Sequence, residues 1–119
     1  MYKLPQNFDA TFLIGRKLEM ICFNANQVYL HFDGSVTITI ESAFSHQHTR
    51  SEANMSIIKV PVSESDLMQL LEHAISAASG DTDGTLTVVF DNGHTLKCFD
   101  TSPQYESYQI KRGESVIIV

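Results

Sequence analysis

The chain has 119 residues, 43% hydrophobic and 18% charged, with a formal net charge of -6 and two cysteines. That length supports a core without metal or disulfide staples. The charge argues against nucleic acid, which requires a basic stripe, and the eight Lys and Arg do not cluster; no apolar run approaches the ~18 residues of a membrane span.

Met1 to Asn7 form a polar, Pro5-containing arm without the apolar stretch of a signal peptide, so a cytoplasmic protein is expected. Asp9 can cap one short turn that Gly15 ends. From Arg16 to Phe23 the alternation Leu18, Met20, Cys22 predicts a strand, and Asn24-Ala25-Asn26 turns it into a second strand, Val28 to Phe32. A three-residue turn there pairs Phe23 with Gln27, Cys22 with Val28 and Met20 with Leu30, and sets Glu19 across from His31 and Lys17 across from Asp33. A second three-residue loop, ending in Gly34, pairs Leu30 with Val36 and Val28 with Ile38, which keeps the apolar residues on one face.

Residues 42–54 carry no periodicity and read as the longest connection. Met55 to Val60 reads as a strand, ended by Pro61. Ser63-Glu64-Ser65-Asp66 opens a helix with the stripe Leu67, Leu70, Leu71. Propensity would carry that helix to Gly80. An internal pseudo-repeat, about residues 13–42 and 70–100, argues instead for a strand at about 73–79, because Leu13 to Met20 aligns with Leu70 to Ala77. Leu86 to Phe90 repeats the alternation of Val28 to Phe32. An Asp91-Asn92-Gly93 loop pairs Val88 with Leu96 and Leu86 with Cys98, which requires a left-handed backbone at Gly93. Thr101-Ser102-Pro103 ends the strand Thr95 to Asp100. Tyr105 to Ile110 and Ser115 to Val119 form a last hairpin around Arg112-Gly113, with the uncharged terminal strand covered within its sheet and making some homodimer contact.

The fold expected is mainly β (α+β) and a single domain over 1–119. Two related antiparallel three-stranded meanders pack as a sandwich or partial barrel, with one helix between them and a C-terminal hairpin. Leu13-x-Gly15, Leu86-x-Val88-x-Phe90-x-Asn92-Gly93 and Tyr105-Glu106-x-Tyr108 resemble the motifs of an uncharacterised bacterial family of small β-rich domains, in which glycine tends to stand at the position of Glu72. The resemblance implies a bacterial intracellular protein, similar in size and acidity to small immunity and inhibitor proteins, and carries over no catalytic residue.

No nucleophile elbow, phosphate loop, dinucleotide fingerprint or zinc-protease helix is present. His46-Gln47-His48, with Glu52 nearby, falls short of the four-ligand spacing of structural zinc, so neither metal nor cofactor is expected. Cys22 and Cys98 fall on apolar strand positions and read as core thiols. The residues singled out for binding are Glu19 and His31, as a cross-strand pair, and Tyr105, Glu106 and Tyr108, whose polar-tipped aromatics suit an interface. Together these favour a non-enzymatic protein-binding module, of immunity or inhibitor type, for a cationic protein partner. The alternative is a small-molecule-binding domain or enzyme with its site near His31 and Glu19.

Overall fold

The computed structural model describes residues 3–48, 57–60, 65–102 and 106–119. Ten strands are present among them: β1 (Leu18–Phe23), β2 (Val28–Phe32), β3 (Val36–Ile40), β4 (Ala43–Gln47), β5 (Ile57–Lys59), β6 (Ile75–Gly80), β7 (Leu86–Phe90), β8 (Thr95–Cys98), β9 (Tyr108–Arg112) and β10 (Ser115–Ile118). They form two five-stranded antiparallel sheets, in the orders β1-β2-β3-β9-β10 and β5-β4-β8-β7-β6. Leu30, Phe32, Ile38 and Ile110 of the first sheet and Phe44, Val88, Phe90 and Leu96 of the second belong to one buried apolar cluster. The sheets therefore pack face to face, with the Phe32 and Phe90 rings stacked at 6.2 Å.

Two meanders, β1-β2-β3 and β6-β7-β8, are present as expected, but neither stands alone. The C-terminal hairpin β9-β10 extends the first sheet through β3, and β4 with β5 extends the second through β8. The single helix expected is replaced by two short 3-10 helices, Ala10–Leu13 and Leu67–Leu70, the first lying against β6 and the second against β1. Ser63 and Glu64, where the expected helix would start, lie outside the described residues, as do Glu52 and Tyr105. No helix among the described residues is long and apolar enough to cross a membrane.

The strand at 73–79 is confirmed as β6 against helical propensity. Its start is fixed by a backbone exchange between the sheets. Gly15 N donates to Ile75 O (2.8 Å) and Ile75 N to Arg16 O (2.9 Å); Leu18 N donates to His73 O (3.0 Å) and Glu72 N to Leu18 O (2.8 Å). Gly15 has φ +88° at this crossing and Glu72, its counterpart, φ +69°. Glu72 thus takes a conformation that disfavours a Cβ, and its carboxylate meets Lys17 Nζ at 3.0 Å.

Two registers differ from the sequence-based pairing. In β1 the ladder shifts between Leu18 and Met20, so that Met20 rather than Glu19 faces His31. This β-bulge reverses which side chains point inward: Leu18 is fully buried, whereas Met20 is exposed and Ile21, not Met20, pairs with Leu30. The turn that follows holds two residues, Ala25 and Asn26, closed by Asn24 N donating to Gln27 O, so Phe23 pairs with Val28 and Cys22 with Tyr29. Between β2 and β3 the three-residue loop is Asp33-Gly34-Ser35, one residue later than expected. It pairs Phe32 with Val36, Leu30 with Ile38 and Val28 with Ile40. The apolar face survives because the shift moves partners by two residues.

The second hairpin has the expected register, Val88 with Leu96 and Leu86 with Cys98. Gly93 N donates to Phe90 O and Phe90 N to His94 O, both at 2.9 Å, closing an Asp91-Asn92-Gly93 loop with Gly93 at φ +88°. A Cβ at Gly93 would meet no atom within 4 Å, so substitution there is limited by conformation and not by space. Gly93→Val is expected to destabilise the protein by roughly 1 kcal/mol or more in urea unfolding, and Gly93→Asn by less, because Asn tolerates positive φ. Equal midpoints for the two variants would contradict this account of the turn.

Candidate metal centre

Along β4 the side chains alternate between faces, so Phe44 and His46 point the same way, with His48 following in the same sense. Phe44 pairs with Cys98 and His46 with Leu96, all on the buried side of the sheet. Gln47 pairs with Thr95, and the same register sets His48 across from His94, the first residue after the Gly93 turn. Three imidazoles therefore gather at the rim of the sandwich, where β4 ends and β8 begins. Their ring centroids are 5.0 Å apart (His46–His48), 5.0 Å (His46–His94) and 4.8 Å (His48–His94). Each offers a nitrogen within 4.8 Å of the others.

The fourth member is Asp66, at the N-cap of the Leu67–Leu70 helix. At the other helix Asp9 uses its carboxylate to accept from Thr11 N (3.0 Å). Asp66 makes no such capping bond; Ser65 Oγ accepts from Leu67 N instead (3.0 Å). The Asp66 carboxylate turns to the histidines, with Oδ1 2.9 Å from His46 Nδ1 and Oδ2 in contact with His48 Nε2. His46 is fully enclosed, its side chain 0% exposed, while His48 and Asp66 keep 44% and 41% exposure, so the cluster opens to solvent on one side.

The electrostatics suit neutral imidazole. Burial lowers the pKa of His46 below the ordinary histidine value, against the opposing pull of Asp66. At Asp66, burial alone would raise the carboxyl, but hydrogen bonds and charge from His48 and His46 outweigh it and hold it below the usual carboxylate range. An ionised carboxylate only accepts, so His46 Nδ1 carries its proton and Nε2 its lone pair. That Nε2 lies 2.9 Å from His94 Nδ1. A carboxylate fixing the outer nitrogen of a histidine is the usual support behind a metal-ligating imidazole.

The expectation of no metal counted only His46, His48 and Glu52. The third imidazole and the acid come from parts of the chain distant in sequence, and neither His94 nor Asp66 was singled out. The one available signal was the position of His94 directly after a predicted turn glycine.

The residues singled out for binding do not converge. Glu19 is the exposed bulge residue, and His31 on the neighbouring strand stacks on Tyr29 (6.0 Å), with Nδ1 3.2 Å from Thr37 Oγ1. Glu106 is half-buried, whereas Tyr108 is wholly buried and its hydroxyl donates to Gly84 O at 2.6 Å, so it is a core residue. Both cysteines are free thiols; Cys98 is buried, and that burial pushes its thiol up to about 12, while Cys22 is half-buried on the outward face.

A family model described as a family of unknown function (DUF6188) matches residues 10–119. No curated protein and no solved structure matches the chain.

Tyr108→Phe should lower stability by about 1–3 kcal/mol, since it leaves the buried Gly84 carbonyl unpaired. An unchanged denaturant midpoint would show that the hydroxyl contributes nothing.

Proposed function

We propose that this chain, which belongs to the DUF6188 family of unknown function, is a transition-metal-binding domain, with His46, His48 and His94 as ligands of one divalent cation of the zinc class. The observation that carries this reading is the convergence of three imidazole nitrogens within 4.8 Å, two of their rings held by one carboxylate. Imidazole donors select zinc, copper, nickel or iron over the oxygen-seeking magnesium and calcium. In the bare protein His46 Nε2 and His94 Nδ1 lie 2.9 Å apart; in this reading a cation takes over that contact.

The other sheet supports the same reading by contrast. The pair Ile38–Ile110 of β3 and β9 corresponds to Leu96–His46 of β8 and β4, and Val36–Arg112 corresponds to His94 and His48, which stand just beyond the ends of β8 and β4. Where one sheet has Val36, Ile110 and Arg112, the other has three histidines. A fold that closes with Val36 and Ile110 at two of these places and an exposed Arg112 at the third does not need imidazoles there for packing.

A protein-binding role, of immunity or inhibitor type, is the second reading. It rests on the free edge of β1, where Met20, Phe23 and Met68 remain 52%, 43% and 58% exposed around a groove completed by Ile21, Leu71 and Glu19. Exposed apolar patches of this kind mark interaction sites, and Glu19 at the rim with the net charge of -6 suits a cationic partner. The described geometry offers little to a site joining Glu19 and His31, because the bulge puts Met20 between them.

Metal-free protein titrated with Zn2+ should take up one equivalent and unfold at a higher temperature, with no response to Mg2+. His46→Ala or His94→Ala should weaken binding at least 100-fold, and His31→Ala should leave it unchanged. Binding that is absent, or indifferent to His46 and His94, would refute the assignment.

A further inference from the structure

We infer that the cleft beside the C-terminal hairpin binds a small organic monocarboxylate, with Arg112 and Ser115 on the carboxylate and Phe12, Ile110 and Ile117 on the apolar body. This site belongs to the first sheet and does not rest on the metal-binding reading above.

The register of β9 and β10 builds the cleft. Ile110 pairs with Ile117 and Arg112 with Ser115, and alternate residues of a strand share a face, so these four side chains lie together. Ile110 is buried and Ile117 half-buried, whereas Arg112 and Ser115 are exposed, so the apolar end lies inward and the polar end at the rim. Phe12, on the Ala10–Leu13 helix, completes the lining of a cleft of about 250 Å³. That is below the ~300–1,000 Å³ of sites for drug-sized ligands, which limits the occupant to a small molecule.

Charge is what separates this cleft from a packing gap. Two guanidinium groups rest on Phe12: Arg112 Cζ lies 4.9 Å from the centre of its ring, and Arg16 Nε donates to its carbonyl oxygen at 3.1 Å. Arg16 also packs on the β2–β3 turn, where a Cβ at Gly34 would collide with its guanidinium. Among the described residues neither arginine forms an ion pair, although the chain carries 14 acids against eight Lys and Arg. Two acids of the adjoining turns are engaged elsewhere, Asp9 accepting from Thr11 N and Asp33 from Lys17 N. A guanidinium over an aromatic ring uses its face and keeps its in-plane N–H fork, which matches a carboxylate. The Ser115 hydroxyl beside it adds a donor. The net charge of -6 repels a multiply charged anion more strongly than a singly charged one, which favours carboxylate over phosphate. Arg16 is a positioning residue here: it holds Phe12 and adds positive charge without lining the cleft.

The test is a titration of the 15N-labelled full chain with benzoate, followed by amide chemical shifts. Ser115 and Ile117 should shift saturably, with one-to-one stoichiometry, at millimolar benzoate. Acetate, which lacks the apolar body, benzyl alcohol, which lacks the charge, and inorganic phosphate should each bind about 10-fold more weakly or worse. Arg112→Gln should weaken benzoate about 10-fold or more and Arg112→Lys by less. Lys111→Gln, on the opposite face of β9, should leave it unchanged. Benzyl alcohol bound as tightly as benzoate would make the cleft merely apolar, tighter phosphate would give it another ligand class, and benzoate shifts that survive Arg112→Gln would put the site elsewhere; each overturns the inference. A wild type without any saturable shift does so before a variant is made.

Discussion

The two sheets are held together by a short antiparallel crossing of backbone, Gly15 to Leu18 against Glu72 to Ile75, and most of the architecture follows from it. Four inter-sheet hydrogen bonds of 2.8–3.0 Å leave the entrances of β1 and β6 no freedom to slide. Leu18 and Ile75, the first residues of these strands, are thereby driven into the core. Each entering chain is then secured to the hairpin turn beside it: Asp33 N donates to Lys17 O and Asp91 N to Ala74 O, while Lys17 N and Ala74 N donate to the side chains of Asp33 and Asp91. A bulge follows in both strands, at Glu19 and at Ser76. Bulges increase twist, which is how strands fixed at one end can still wrap their sheets over a common core.

What was legible in the sequence, and what was not, divides along this line. β6 was legible because Leu70 to Ala77 echoes Leu13 to Met20, and that outweighed the helix propensity of Ala-rich residues 74–78. The Gly93 turn was legible because only one loop length keeps Val88 and Leu96 on one side. The β1 register was not, since a bulge leaves no mark in an alternation pattern: Leu18, Met20, Cys22 looks regular while the backbone reverses its faces within it. The length of the Asn24 turn is hidden for a related reason, because two- and three-residue loops are both compatible with Asn.

The candidate site was the least legible part, and for a physical reason. β4 should announce itself by apolar residues on its inward face, but that face carries histidine at 46, and the opposite face carries Ser45, itself buried, and Gln47. The residues that build the cluster thus erased the period that would have revealed the strand. Tyr108 erred in the opposite direction: a hydroxyl tip suggested an interface, yet its one carbonyl partner lets the ring sit wholly inside. Asp66 is legible in the sequence only as one of the acids that open a helix; the structure puts it at the N-cap, where the capping bond that Asp9 makes at the other helix is made by Ser65 instead.

Placing three imidazoles where the other sheet has Val36, Ile110 and Arg112 gives the two halves unequal resistance to local opening. Val36 and Ile110 are almost wholly shielded from water, whereas His46, shielded to a similar degree, must keep its polar atoms partnered in the same kind of place. Without an occupant at the cluster, the β4–β8 ladder is expected to be the weaker seam, with its amides near Gln47 and Thr95 exchanging with solvent ahead of those between β3 and β9. An occupant that fastens β4 to β8 would even out the two ladders. Amide exchange along one pair of strands would then report whether the rim is filled, with the opposite sheet as a reference inside the same molecule.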